Sequence, residues 1–178
     1  MMSQLRARDL GLTVGQLPTG PRNKITDVPG VAVGHVTIDT EQYKTGLTAV
    51  LPCPGSPFYH KLPAAAFVLN GFGKSLGLVQ VDELGRLESP IFLTNTLNVG
   101  KVYDGAVSWL LEQCEKEGAP ARSVSPVVCE CNDGTLSRIA GRPVEAGHVP
   151  QAIDAACADF DEGDVGAGKG MICHDVKG

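Results

Sequence analysis

Glu130 is the residue of this chain best placed to do chemistry. It lies in residues 124–134, Val-Ser-Pro-Val-Val-Cys-Glu-Cys-Asn-Asp-Gly, an apolar run that ends in an Asn-Asp-Gly turn. The run reads as a strand over 124–131. A carboxylate at the end of such a strand has desolvated backbone behind it and an open loop ahead. Leaving it unpaired there costs several kcal/mol or shifts its pKa, so a positive partner is expected. The ammonium group of a small substrate is such a partner.

Other polar clusters have both functional and plain readings. Thr94, Asn95, Thr96 and Asn98 precede a long helical pattern. Asn98 or Thr96 can cap that helix, and the group can also form the polar wall of a pocket. Residues 70–73, Asn-Gly-Phe-Gly, follow an apolar run; they read equally as a plain turn or as a loop where backbone approaches a ligand.

Cys129 and Cys131 flank Glu130, which puts both thiols on one strand face and the acid on the other. Their spacing is not Cys-x-x-Cys and no second pair follows, so buried thiols are favoured over a metal site. Residues 163–170 nearly spell a phosphate-binding loop, but Gly170 stands where Ser or Thr must hold Mg²⁺, and a strand follows instead of a helix. A flexible glycine loop is the simpler reading. The histidines, 35, 60, 148 and 174, sit in separate segments, and His174 reads as structural. Ser108, Ser123 and Ser137 carry no sequence sign of activation as a nucleophile.

The elements that must position Glu130 follow from periodicity. Strands are predicted over 31–38 and 46–51, over 91–94, and over 64–69 as a central strand. A helix is predicted over 101–117, with Val102, Ala106, Trp109 and Leu110 on one stripe. A second is predicted from Pro150 to about Phe160, with Ile153, Ala156, Cys157 and Phe160 inward. Residues 171–176 read as a strand entering the sheet, and 1–24 as an extended N-terminal arm. No repeat or domain boundary is visible, so 1–178 reads as a single unit.

Bulk properties exclude several classes. With 178 residues, 43% hydrophobic and 20% charged, the chain is globular. A net charge of −5 and a pI near 5.3 offer no basic stripe for nucleic acid. No apolar run approaches the ~20 residues that span a bilayer, and no secretory signal follows the charged start. The expected address is the cytoplasm, with the six cysteines reduced and mostly core filler. Residues ending one step past a strand suggest a chain that continues beyond Gly178.

Several segments together resemble one family. They are residues 6–11 (Arg-Ala-Arg-Asp-Leu-Gly), 23–35 (Asn-Lys-Ile-Thr-Asp-Val-Pro-Gly-Val-Ala-Val-Gly-His), 93–100 (Leu-Thr-Asn-Thr-Leu-Asn-Val-Gly), 126–134 and 166–174. In this order they are similar to the DmpA-type aminopeptidases, the L-aminopeptidase/D-esterase and β-peptidyl aminopeptidase proteins. The resemblance implies an α/β fold, a layered sandwich of sheets flanked by helices, shared with ornithine acetyltransferase-like proteins and incomplete in this chain. It implies a precursor roughly twice this length that cuts itself, exposing an N-terminal serine as nucleophile beyond Gly178. It implies hydrolysis of N-terminal residues from small peptides, amides or esters through an acyl-enzyme, with no cofactor, a C-terminal partner portion and a homo-oligomeric assembly. Glu130 matches the acid that reads the free amino terminus. Asn132 stands where some members carry tyrosine near the reacting carbonyl; its amide can donate to a developing oxyanion. Asn70, Gly71 and Asn95 are expected as pocket walls. An acyltransferase of the ornithine acetyltransferase type and a binding module without a nucleophile are the alternatives.

Overall fold

The computed structural model describes residues 5–69, 72–173 and 175–177. Strands β1 (Ala32–Asp39) and β2 (Lys44–Leu51) form an antiparallel hairpin. β3 (Leu62–Pro63) and β4 (Ser75–Leu76) follow, then α1 (Leu78–Leu84), β5 (Arg86–Leu87) and β6 (Ile91–Asn95). The long helix α2 (Val99–Lys116) leads to β7 (Val127–Cys131), and α3 (His148–Asp154) precedes β8 (Ile172–Cys173) and β9 (Val176–Lys177). The main sheet has five strands in the order β1-β2-β6-β7-β4. β6 and β7 are parallel neighbours, and the other pairs in this sheet are antiparallel. A parallel pair needs a long crossover, and α2 supplies it.

Successive residues on a strand face opposite sides, so the sheet has two distinct surfaces. Leu47, Ala49, Phe92 and Val128 meet Val102 and Ala106 of α2 and Val149 and Ala152 of α3 in one fully buried cluster. Each of these eight side chains is 0% exposed, which makes this layer the main source of hydrophobic stabilisation. Gly34 admits α3 to β1: a Cβ there would lie 2.0 Å from the Ala152 carbonyl oxygen. The opposite surface carries a smaller cluster of Val81, Leu87 and Val127, against which Ala64, Leu78, Ile91 and Cys129 pack.

Strands 31–38, 46–51 and 91–94, the strand ending at Cys131 and the helix over 101–117 are present, with bounds shifted by a few residues. The predicted central strand over 64–69 is not. Ala64 still pairs its N–H with the Gly85 carbonyl at 3.0 Å, but Phe67 and Leu69 are 86% and 85% exposed. The central positions are taken by β2, β6 and β7, whose side chains fill both faces, and the run leaves along the surface. The helix predicted over 150–160 begins at His148 and stops at Asp154. Cys157 exchanges two backbone hydrogen bonds with Val33, at 3.0 and 3.1 Å, which pulls the chain into an extended bridge beside β1. The tail does not enter the main sheet; β8 and β9 pair only with each other. His174 lies outside the described residues. The thiols are not mostly core filler: Cys114 is buried, while Cys157 and Cys173 are exposed.

The glycine loop at 163–170 is a packed strap. Its 3-10 turn, Gly166–Gly168, lies on β1 and β2. Gly166 N–H donates to Thr37 Oγ1 at 2.8 Å and Ala167 N–H to Thr48 Oγ1 at 3.1 Å. Gly166 has φ +54°, and a Cβ there would lie 2.5 Å from His35 Nδ1 and from Thr48 Oγ1. Glycine is needed both for the backbone conformation and for the space. His35 is held at both ring nitrogens, by Thr48 Oγ1 at 2.9 Å and the Asp161 carbonyl at 3.0 Å. Since a carbonyl only accepts, Nε2 carries the proton. Burial lowers the pKa of this imidazole, which keeps it neutral.

Charges fasten the strap to β1. Lys169 Nζ reaches Asp39 Oδ2 at 2.8 Å and Asp164 Oδ2 at 2.7 Å, and Lys44 pairs with the other Asp39 oxygen. Hydrogen bonds from Lys169, then Lys44, pull the Asp39 carboxyl from its ordinary 3.8 down to about 2. Asp164, and then Asp39, raise Lys169 above 10.5. A depressed carboxylate stabilises the fold above its unfolded pKa and stops doing so as pH falls through the folded value. A raised lysine does so below 10.5 and stops as pH climbs past its folded value. Asp39→Asn is therefore expected to lower the thermal midpoint at neutral pH. The gap to wild type should shrink between about pH 4 and pH 2 and close below it, as measured by circular dichroism melts across that range.

Candidate functional site

β6 and β7 run the same way, so their carboxyl ends share one edge of the sheet. The register pairs Thr94 with Glu130 and Asn95 with Cys131. Glu130 is thereby held on both sides: β6 lies along one, and on the other its N–H donates to the Lys74 carbonyl at 3.1 Å, just ahead of β4. The side chain is half-buried. Its Oε2 is fully buried and has no hydrogen-bond partner. Among the described residues no cation pairs with it. Gly73 borders it: Oε1 lies 3.8 Å from where a Gly73 Cβ would stand, so the absent side chain leaves room at the carboxylate.

Asn132 is exposed. Its Oδ1 accepts from Gly134 N–H at 2.9 Å, closing the turn after β7 and leaving Nδ2 as the end able to donate outward. Its carbonyl accepts from Ile172 N–H at 3.3 Å, which ties the turn to β8. Asn95 is 1% exposed. It caps the Thr96–Asn98 turn by accepting from Leu97 N–H at 2.8 Å, and its Nδ2 donates to Asp133 Oδ1. The capping expected of Asn98 or Thr96 is not made: Asn98 is the N-cap of α2 but forms no side-chain cap, and Asn95 caps only the preceding turn. Asn98 instead donates from Nδ2 to the Val144 carbonyl, and neither Asn98 Oδ1 nor Thr96 Oγ1 has a partner. Asn70 and Gly71 lie outside the described residues.

The structure thus gathers Glu130, Asn132 and, behind them, Asn95 at one strand edge. Sequence reasoning missed Asp133. It is 1% exposed, with Oδ1 on Asn95 and Oδ2 unpartnered. A second acid three residues after Glu130, in a turn that closes a buried strand, was the available signal. Cys129 and Cys131 are half-buried on the face opposite Glu130. Burial raises the Cys129 thiol. Burial first, then Cys129, Glu130 and Asp133, push Cys131 up to about 11. Both are neutral thiols near pH 7, and thiolate is the form that ligates metal or attacks a carbonyl.

Glu130 lines neither of two clefts that open among the described residues. One, of about 470 Å³, lies among Phe67, Ser75, Leu76, Leu78, Val79 and Asp82, on the side of β4. The other, of about 290 Å³, lies under the N-terminal arm, beside Arg6, Leu12 and Val14. Glu130 therefore stands at the rim of a strand edge. No described helix is long and apolar enough to cross a membrane.

Comparison with known proteins places this geometry. The chain is 38% identical to a β-peptidyl aminopeptidase, BapA, of Sphingosinicella xenopeptidilytica, over 97% of its own length and 45% of that protein. A solved protein of Pyrococcus horikoshii OT3 matches 98% of the chain with a TM-score of 0.91 and 46% identity, over 52% of its own length. The L-aminopeptidase D-Ala-esterase/amidase of Ochrobactrum anthropi is described as a prototype of the serine aminopeptidases and a variant of the Ntn hydrolase fold. It matches 97% of the chain with a TM-score of 0.85 and 33% identity, over 50% of its length. The chain thus spans about half the length of the relatives it matches. The sandwich of sheet and helices is the α/β arrangement of these Ntn hydrolases. The model of peptidase family S58 matches residues 23–178, and the chain belongs to that family.

Proposed function

We propose that residues 1–178 form a single partial domain, the amino-terminal portion of a self-processing serine aminopeptidase. The observation that carries this reading is Glu130: a half-buried carboxylate at the carboxyl end of β7, with one oxygen buried and undonated, beside a glycine that leaves space. A carboxylate so placed is stabilised by a cation arriving from outside, and the free amino terminus of a short peptide supplies one. Family membership agrees with that chemistry.

In the proposed reaction Glu130 binds the substrate ammonium and so sets the scissile bond one residue away. Asn132 Nδ2 donates towards the carbonyl oxygen as negative charge develops on it. Asn95 stands behind as a buried support of the wall, and the sequence adds Asn70 and Gly71 to the same proposed wall. The nucleophile is a serine at the amino terminus of a C-terminal portion. That serine attacks the carbonyl, the amine leaves with a proton, and water releases the acyl group. Substrates are small peptides or amino-acid amides and esters. No cofactor takes part, the address is cytoplasmic, and the assembled protein is a homo-oligomer. Dialysis of the assembled protein against chelator should leave its activity unchanged.

A charged hydrogen bond of this kind contributes about 1.5–3 kcal/mol, or about ten- to hundredfold in binding. Glu130→Gln in the full-length polypeptide is expected to raise KM for free-amine substrates by that factor. KM for N-blocked esters should stay within about twofold. Equal changes for both would refute the anchor. Mass spectrometry of the purified full-length product should show two fragments; a single uncut and active polypeptide would refute self-processing.

A further inference from the structure

The carboxyl ends of β6 and β7 are joined beyond their last ladder pair. That pair is Asn95 with Cys131. Two residues further on, Asp133 Oδ1 accepts from Asn95 Nδ2, while Asn95 Oδ1 is taken by Leu97 N–H. The Asp133 carbonyl then accepts from Leu136 N–H at 3.1 Å and Ser137 N–H at 2.9 Å, turning the chain away. Gly170 of the strap closes over the residue, and a Cβ there would lie 2.8 Å from Asp133 Cβ.

A buried carboxylate is a costly way to make this link. Its Oδ2 is buried without a donor. An amide at 133 would accept the same bond from Asn95 without the desolvation of an ion. Stability alone does not account for the acid. A charge-assisted hydrogen bond is shorter and stronger than a neutral one, and here it clamps a strand end just where the ladder stops. Glu130 lies one residue before that last pair and frays if the pair opens.

We infer that Asp133 is a positioning residue: with Asn95 it fixes the end of β7 so that Glu130 meets a substrate ammonium at hydrogen-bond distance. This rests on the reading of Glu130 as the amine anchor. A shift of about 1 Å in such a group costs up to about a hundredfold.

The test uses the full-length polypeptide with matched free-amine and N-blocked ester substrates. Asp133→Ala is expected to raise KM for the free-amine substrate at least about tenfold. Asn132, next to Asp133, moves with the strand end, so kcat falls alike for both substrates, while KM for the blocked ester should stay within about threefold. Exchanging the partners, Asn95→Asp with Asp133→Asn, keeps the acceptor for Leu97 N–H and reverses the direction of the side-chain bond. The exchanged pair should return KM to within about threefold of wild type, as a loss through general destabilisation would not. Equal KM rises on both substrates in Asp133→Ala, or an exchanged pair with the same KM as Asp133→Ala, would overturn the inference. If Asp133→Ala does not fold, Asn95→Asp takes its place: it must show the selective KM rise and the exchanged pair must remove it, and the absence of any difference between them overturns the proposal. Failure of the anchor reading is seen separately, as a Glu130→Gln variant with no preference between free and blocked substrates.

Discussion

The parallel pairing of β6 and β7 is the constraint from which most of this structure follows. Parallel neighbours cannot be joined by a tight turn, so a long helix must carry the chain back. α2 does so, and in crossing it buries Val102, Ala106 and Leu110. The same pairing brings two strand ends to one edge, where Asn95 and Glu130 stand one register step apart. An antiparallel pair would have sent them to opposite edges. The polar edge and the apolar layer beneath it are therefore two results of one connection.

The edge is polar in a way that stability does not favour. Phe92 and Val128, one step back from Thr94 and Glu130 on the same face, are fully buried and well packed. At the next step the sequence changes from hydrocarbon to hydroxyl and carboxylate. Buried acceptor atoms at Glu130, Asp133, Asn98 and Thr96 then stand without donors, and each costs about 1–3 kcal/mol of desolvation. The apolar layer, with at least ten fully or nearly fully buried side chains, is large enough to offset that cost. Of these groups Glu130 is the half-buried one, and the open side of Gly73 leaves its carboxylate room for a partner from outside.

Much of this was legible in the sequence because the main elements carry their own periodicity. The stripe at Val102, Ala106 and Leu110 identifies α2, and the run ending at Cys131 identifies β7, with its acid in view. The failures share a cause: a short apolar run does not say what it packs against. Residues 64–69 have the composition of a central strand, but three alanines offer little side chain to a sheet already filled by Phe92 and Val128. The helix from His148 is cut by the Val33–Cys157 bridge, a tertiary contact that no local pattern announces. Glycine in the strap suggests freedom, but in the fold the Gly166 N–H donates to Thr37 Oγ1 and the Ala167 N–H to Thr48 Oγ1, which pins it to the sheet. Asp133 was hidden by its own context, since Asn-Asp-Gly is a sufficient recipe for a turn, and only coordinates show its carboxylate turned inward.

The two acids at this edge divide the work that a single buried charge would do badly. A carboxylate meant to receive a mobile cation must be partly open, yet an open side chain on a strand end is free to reorient, and that freedom is lost on binding. Restraint therefore has to come from the backbone. At Glu130 the ladder supplies it on the β6 side and the Lys74 carbonyl on the β4 side, but neither reaches past Cys131. Asp133 is closed where Glu130 is open, and its bond to Asn95 continues the β6–β7 link past the point where backbone pairing ends. A buried charge at 133 thereby makes the half-buried, chemically useful one at 130 stiff enough to select its partner.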